Sequence, residues 1–144
     1  MTIQTILIPV DGSEPSARAV DFAIMLAGAL GAELELVTVM DLGQLDFFDS
    51  MEQTLEQHLS DWESKLRRDI IQPALDRVPS GGPATSTKVL RGAVYKALLK
   101  HITATQPGMV VMGRTSRTAM NRILHGSVSR RLSGSSPVPV TLVG

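Results

Sequence analysis

Apolar residues in this chain fall into short unbroken runs that alternate with longer stretches in which they recur every third or fourth position. Ile6-Leu7-Ile8-Pro9-Val10 is the first run, short and rich in β-branched residues, and predicts a strand covered on both faces. Asp11-Gly12-Ser13 follows at once: Gly12 permits a tight turn, Ser13 is a good helix cap, and Pro15 is tolerated in a first helical turn. The spacing of Ala19, Val20, Ala23, Ile24, Ala27 and Leu30 then predicts a helix with one buried face that stops at Gly31. A second buried strand is expected from Leu34 to Met40, with a loop opening at Asp41 and Gly43. From about Asp49, Met51, Leu55, Leu59, Trp62, Leu66 and Ile70 mark a long helix that Pro73 bends or ends. Pro79-Ser80-Gly81-Gly82-Pro83 reads as a surface linker.

Thr85 to Leu90 is a third strand, less apolar and so expected nearer an edge, and Val94, Ala97, Leu98, His101 and Ile102 give the next helix its buried face. Met109-Val110-Val111-Met112 predicts a fourth buried strand ending at Gly113, followed by a polar, basic loop to about Arg122. A last helix starts near Gly126-Ser127, buries Val128 and Leu132, and gives way at Gly134 to a terminal strand, Pro137 to Val143. Pro139 cannot donate to a ladder, which implies an edge strand or one that starts late, and an apolar edge needs a cover or a partner. Strands alternating with helices of these lengths imply βαβ units. The expected fold is α/β: one Rossmann-like domain over residues 1–144, with an open, parallel, five-stranded sheet and helices on both faces. Ligands then sit beyond the carboxyl ends of the strands, where the winding reverses.

Composition narrows the reading. A chain of 144 residues with 43% apolar and 19% charged side chains can bury one core without disorder. Lys plus Arg and Asp plus Glu balance at 14 each, which argues against a broad footprint for nucleic acid or anionic membrane, so any anion is held locally. The absence of cysteine removes disulfides and thiol chemistry, and no apolar run approaches the roughly 20 residues of a spanning helix. The expectation is a cytoplasmic protein without membrane insertion. His58, His101 and His125 lack metal-ligand spacing and are assigned surface or packing roles, and no metal site is expected. Met25, Met40, Met109 and Met112 occupy apolar positions suited to core filling, with Met112 alone placed to touch a base as well. Trp62 is expected to pack onto the domain or a partner, and Arg122, Arg130 and Arg131 to be solvated.

Chemistry concentrates at two strand ends that should face one crevice: Pro9-Val10-Asp11, and the stretch from Met112-Gly113 to Gly126-Ser127-Val128-Ser129. Gly113 lets backbone approach a phosphate, and the helix starting at Gly126-Ser127 offers unpaired amides and a positive dipole end to an anion. Hydroxyls of Ser127 and Ser129 could add donors. Asp11 could accept from ribose hydroxyls, help hold a divalent cation, or merely cap its own turn. Ser127, taken alone, is as good a helix cap as a phosphate ligand.

The segments ILIPVDGS, VMGRTS, HGSVSRRL and SPVPVTLV together resemble the universal stress protein family over essentially the whole chain. That resemblance implies an adenine nucleotide alpha hydrolase-like fold. It also implies ATP, with or without Mg²⁺, as the ligand. The family's ATP pattern is Gly, two residues, Gly, nine residues, Gly, then Ser or Thr. It maps onto Gly113, position 116, Gly126 and Ser127, with Ser116 where the pattern has glycine. A serine there restricts positive φ but offers a hydroxyl to a phosphate. Arg114 and Arg117 add positive charge nearby, and Thr115 belongs to the same segment. By the same transfer, Asp11 and Val39 line the adenosine pocket, and Pro9, Val10 and Met112 form its walls. Gly108 replaces the family's Asp before the fourth strand. The segment Val138 to Val143 resembles the strand by which members pair edge to edge as homodimers. The implied function is an ATP-binding, dimeric stress-response regulator acting on an unidentified protein partner. Alternatives are a nucleotide-free dimerising module and a slow ATPase; for the last, the sequence holds no Walker lysine and no positioned base beyond Asp11.

Overall fold

The computed structural model describes residues 2–44, 54–114 and 126–144. Five strands, β1 (Thr5–Pro9), β2 (Glu33–Asp41), β3 (Thr85–Gly92), β4 (Met109–Gly113) and β5 (Val140–Val143), form one sheet in the order β3-β2-β1-β4-β5. Every pairing is parallel. The helices are α1 (Glu14–Leu30), α2 (Leu55–Leu66), α3 (Gln72–Leu75), α4 (Val94–Thr105) and α5 (Gly126–Ser135). The expected single α/β sheet with helices on both faces is therefore the observed one. The winding reverses between β1 and β4, because the chain steps outward through β2 and β3 and then crosses back.

Alternation along each strand divides the interior into two cores. Ile6, Ile8, Leu34, Leu36, Met40, Met109 and Val111 pack on one side with Ala19, Ala23 and Ala27 of α1, and with Ile71 and Ala74. Leu7, Val37, Val39, Val110 and Met112 pack on the other with Leu98 and Ile102 of α4 and Leu132 of α5. This two-sided burial is why the strands read as continuous apolar runs. Strand β3 is an edge, as its polar alternation implied. At the other edge β5 begins only at Val140, after Pro139.

Four details depart from expectation. Pro73 does not end the long helix. Arg67–Ile71 forms a π-helical turn in which Gln72 N–H reaches back to Arg67 O, and the chain continues through α3. The wider turn gives room for a proline, which has no amide to donate and would crowd an ordinary α-turn. Met25 is 62% exposed rather than a core filler, since two residues after Ala23 it lies on the opposite side of α1. Leu30 shares the alanine face by angle. It is nonetheless 47% exposed, because it lies in the last turn before Gly31, past the end of the buried seam. Leu55, in the first turn of α2, is likewise exposed. Asp49, Met51 and the loop through Arg122 and His125 lie outside the described residues.

Candidate functional site

β1 and β4 are neighbours across the point where the winding reverses, the place where a sheet of this kind holds its ligand crevice. Extending the registers Pro9↔Val37 and Leu7↔Val110 by two residues sets Asp11 level with Val39 and Met112 beside Pro9. Pro9, Asp11, Val39 and Met112 thus share the α4/α5 side of the sheet. Val10 does not: its side chain belongs to the core beneath α1, so its backbone is what it offers to the crevice, where Val10 N–H donates to Val37 O at 2.8 Å. Met112 is fully buried on the α4/α5 side, in the core with Val39 and Leu132.

Asp11 is drawn into the turn that starts α1. Its Oδ1 accepts from Ser13 N–H at 2.9 Å, and its own N–H donates to Ser16 Oγ at 3.2 Å. Gly12 carries the chain through φ +81°, a conformation L side chains avoid. Ser13 then caps α1 by accepting from Ser16 N–H at 3.3 Å, with Pro15 in the first turn. The turn-forming role weighed for Asp11 is therefore real, and it engages one carboxylate oxygen. Ser16, which sequence reasoning passed over, is 2% exposed and completes this buried polar knot with Asp11 and Ser13. A serine three residues after a capping serine was the signal available for it.

At the end of β4, Gly113 is buried and Arg114 is exposed. Arg114 N–H donates to Val143 O at 2.8 Å, and Arg114 O accepts from Ser129 Oγ at 2.9 Å. Ser129, 2% exposed, thus clamps the first turn of α5 against the end of β4 instead of presenting its proton outward. Leu132 anchors the same helix in the core, and Ser127 lies exposed in its first turn. The first turn of α5 is thus tied to the end of β4, the strand next to β1 in the sheet, and the expected site residues Gly113, Gly126, Ser127, Val128 and Ser129 all belong to these two elements. Thr115, Ser116 and Arg117 lie outside the described residues.

A model of the universal stress protein family matches residues 2–144. The chain belongs to that family. A universal stress protein of Methanocaldococcus jannaschii is 29% identical over 144 residues, covering 96% of this chain and 80% of its own. Among solved structures, a universal stress protein in complex with cAMP superposes with a TM-score of 0.69 at 23% identity, covering 100% of this chain and 99% of that one. A universal stress protein from Archaeoglobus fulgidus in complex with dAMP gives 0.60 at 20% identity, with both chains fully covered.

Three positions outside the crevice clarify how this member of the family is built. Arg131 is exposed, as expected, yet its guanidinium stacks 3.8 Å from the centroid of the Tyr95 ring and so ties α5 to α4. Gly108 abuts the N-terminal segment: a Cβ there would come 2.8 Å from Ile3 Cγ2 and 3.0 Å from Ile3 Cα. His101 is buried, and its Nε2 lies 2.6 Å from Glu35 Oε1. Among the described residues, no group of three or more His, Cys, Asp or Glu is arranged to hold a metal, and no helix is long and apolar enough to cross a membrane.

Proposed function

We propose that this universal stress protein is a regulatory module whose ligand is an adenine nucleotide, with ATP the expected physiological occupant, and whose working form is a homodimer. One observation supports the reading above all: the winding reverses between β1, which runs into the buried Asp11, and β4, whose end is tied through Arg114 O to Ser129 in the first turn of α5. Two structural relatives were solved with adenine nucleotides, cAMP and dAMP. In this reading Asp11 and Val39 border the nucleoside, Met112 underlies it, and the phosphates lie against Gly113, Gly126 and Ser127, with Arg114, Thr115, Ser116 and Arg117 as the remaining candidate contacts from the sequence. Mg²⁺ would screen phosphate charge, with Asp11 as a candidate carboxylate for it. Val128 supports the helix start from below.

Isothermal titration with ATP, with and without Mg²⁺, tests the proposal, and no detectable affinity at millimolar nucleotide would remove it. Replacing Ser116 by Gly should tighten binding if φ is the limiting factor; weaker binding would show that the hydroxyl contributes. The dimer is assigned to β5, whose outer edge pairs with no other strand of the described residues and whose four residues are all half-buried. Sedimentation equilibrium checks it, with a Val140→Pro variant expected to be monomeric.

A second reading is favoured by the engaged groups of the crevice. Asp11 Oδ1 and the Ser129 hydroxyl already have partners inside the chain, as a nucleotide-free dimerising module would require. Co-purified adenine nucleotide decides against it. Slow ATP hydrolysis is the least supported alternative, because the sequence offers no Walker lysine and no candidate base beyond Asp11, one oxygen of which already accepts from Ser13 N–H.

A further inference from the structure

At the opposite end of the sheet, where the strands begin, lies a second hollow of about 340 Å³. Its walls are the N-terminal segment with Gln4 and Thr5, Glu35 near the start of β2, and the turn Gln106-Pro107-Gly108 between α4 and β4. We propose that this hollow binds a small organic cation, an alkylammonium compound, with Glu35 as its countercharge.

The size fits the lower end of the range for small-molecule sites. The chemistry points to positive charge. Glu35 Oε1 is held at 2.6 Å by the buried His101 Nε2, which must carry the proton if the carboxylate is ionised. Oε2 takes no hydrogen bond from the described residues, so an oriented acceptor is left to the hollow. Helix α4 also ends here, and the carbonyls of its last turn bring the negative end of the helix dipole to the same wall. No lysine or arginine is among the described residues lining the hollow. Oriented carboxylate, helix end and hydroxyl and amide groups together make a poor seat for an anion and a good one for an ammonium group.

Gln106 supplies a separate observation. It is the one described non-glycine residue at positive φ, +48°, in a position after a helix where glycine is the unstrained choice. Its backbone N–H closes α4 on Ile102 O, and its side-chain Nε2 donates to Thr103 O at 3.1 Å, which turns the amide oxygen into a further acceptor at the rim. Strained non-glycine residues of this kind gather at ligand clamps. Gly108 completes the wall, since the absence of a Cβ lets Ile3 and the N-terminal segment lie directly on the turn.

Putrescine is a suitable probe, with 1,4-butanediol as its uncharged counterpart, each titrated into ¹⁵N-labelled full-length protein at constant ionic strength. The expected result is saturable shifts at the amides of Thr5, Glu35, Gln106 and Gly108 with the diamine and none with the diol. Glu35→Gln, which keeps an acceptor for His101, should weaken the diamine response at least about tenfold, as expected for loss of a charge-assisted hydrogen bond. Gln106→Gly suits the same backbone conformation, so it should retain a native spectrum and still bind more weakly. Three results overturn the assignment: no saturable response at tens of millimolar diamine, an equal response to the diol, or undiminished binding in either natively folded variant.

Discussion

Replacing Asp11 in two ways separates what its carboxylate does for the fold from what it does for a ligand. Asp11→Ala removes the acceptor of Ser13 N–H in a turn where Asp11 is 3% and Ser13 6% exposed. A buried amide left without that partner, having lost a bond to a carboxylate, costs about 2 kcal/mol. For a domain of this size each kcal/mol moves Tm by about 2–4 °C, so scanning calorimetry should show a drop of about 4–8 °C. Asp11→Asn keeps an oxygen in the same place, retains the Asx turn, and should cost less than about 1 kcal/mol. In the proposed binding mode both variants lose the charged acceptor for the nucleoside, so titration should show ATP affinity reduced about tenfold to hundredfold in each. Stability distinguishes the two variants and affinity does not. If Asp11→Asn binds ATP as the parent does, the carboxylate serves the turn alone; if it melts as low as Asp11→Ala, the hydrogen-bond argument fails.

Other consequences are open to direct measurement. Arg77 grips Asp21 through two hydrogen bonds, 2.9 and 2.6 Å, and that contact holds the Asp21 carboxyl below its ordinary value of 3.8. A lowered carboxylate pKa stabilises the fold above about that value and the contribution disappears as pH falls through the lowered one. Asp21→Asn should therefore cost up to about 1 kcal/mol at neutral pH, because the pair is half exposed, and the difference from the parent should vanish under acid denaturation. Gly108→Ala forces a Cβ onto Ile3 and should cost about 1–3 kcal/mol by urea unfolding, with Ile3→Ala rescuing only part of it because the Ile3 Cα is also too close. Tyr95→Leu keeps apolar bulk but removes the ring beneath Arg131. A loss of about 0.5–1 kcal/mol is expected, and no loss would mean that the stacking adds nothing beyond packing.

Much of the fold was legible because it rests on local physics. The buried strands β1, β2 and β4 announce themselves as apolar runs, the Asp11-Gly12-Ser13 turn as a chain reversal into a capped helix, and Pro139 as the reason β5 starts late. Legibility failed where the cause was not local. Nothing in the spacing around Pro73 signals a π-turn, which depends on which carbonyls the neighbouring amides reach. Met25 carries the same hydrophobic label as Met40, and only the helix angle set by the alanine seam puts one in solvent and the other in the core. Glu35 and His101 lie 66 positions apart, so their pairing is visible only once β2 and α4 are packed. The switch point between β1 and β4 followed from parallel topology. The clamp from Ser129 to Arg114 did not, because a hydroxyl near a helix start looks the same whether it faces inward or outward.

The alanine seam of α1 has a mechanical consequence. Ala19, Ala23 and Ala27 have no side-chain rotamers, so at this seam α1 itself has none to change, and the adaptable side chains there, such as Ile6, Leu36 and Met40, belong to the strands. The opposite face is cushioned by Leu98, Met112 and Leu132, longer chains with alternative rotamers. Repacking on the α1 side is therefore left to the strands, whereas on the other side the helices can take part through Leu98 of α4 and Leu132 of α5.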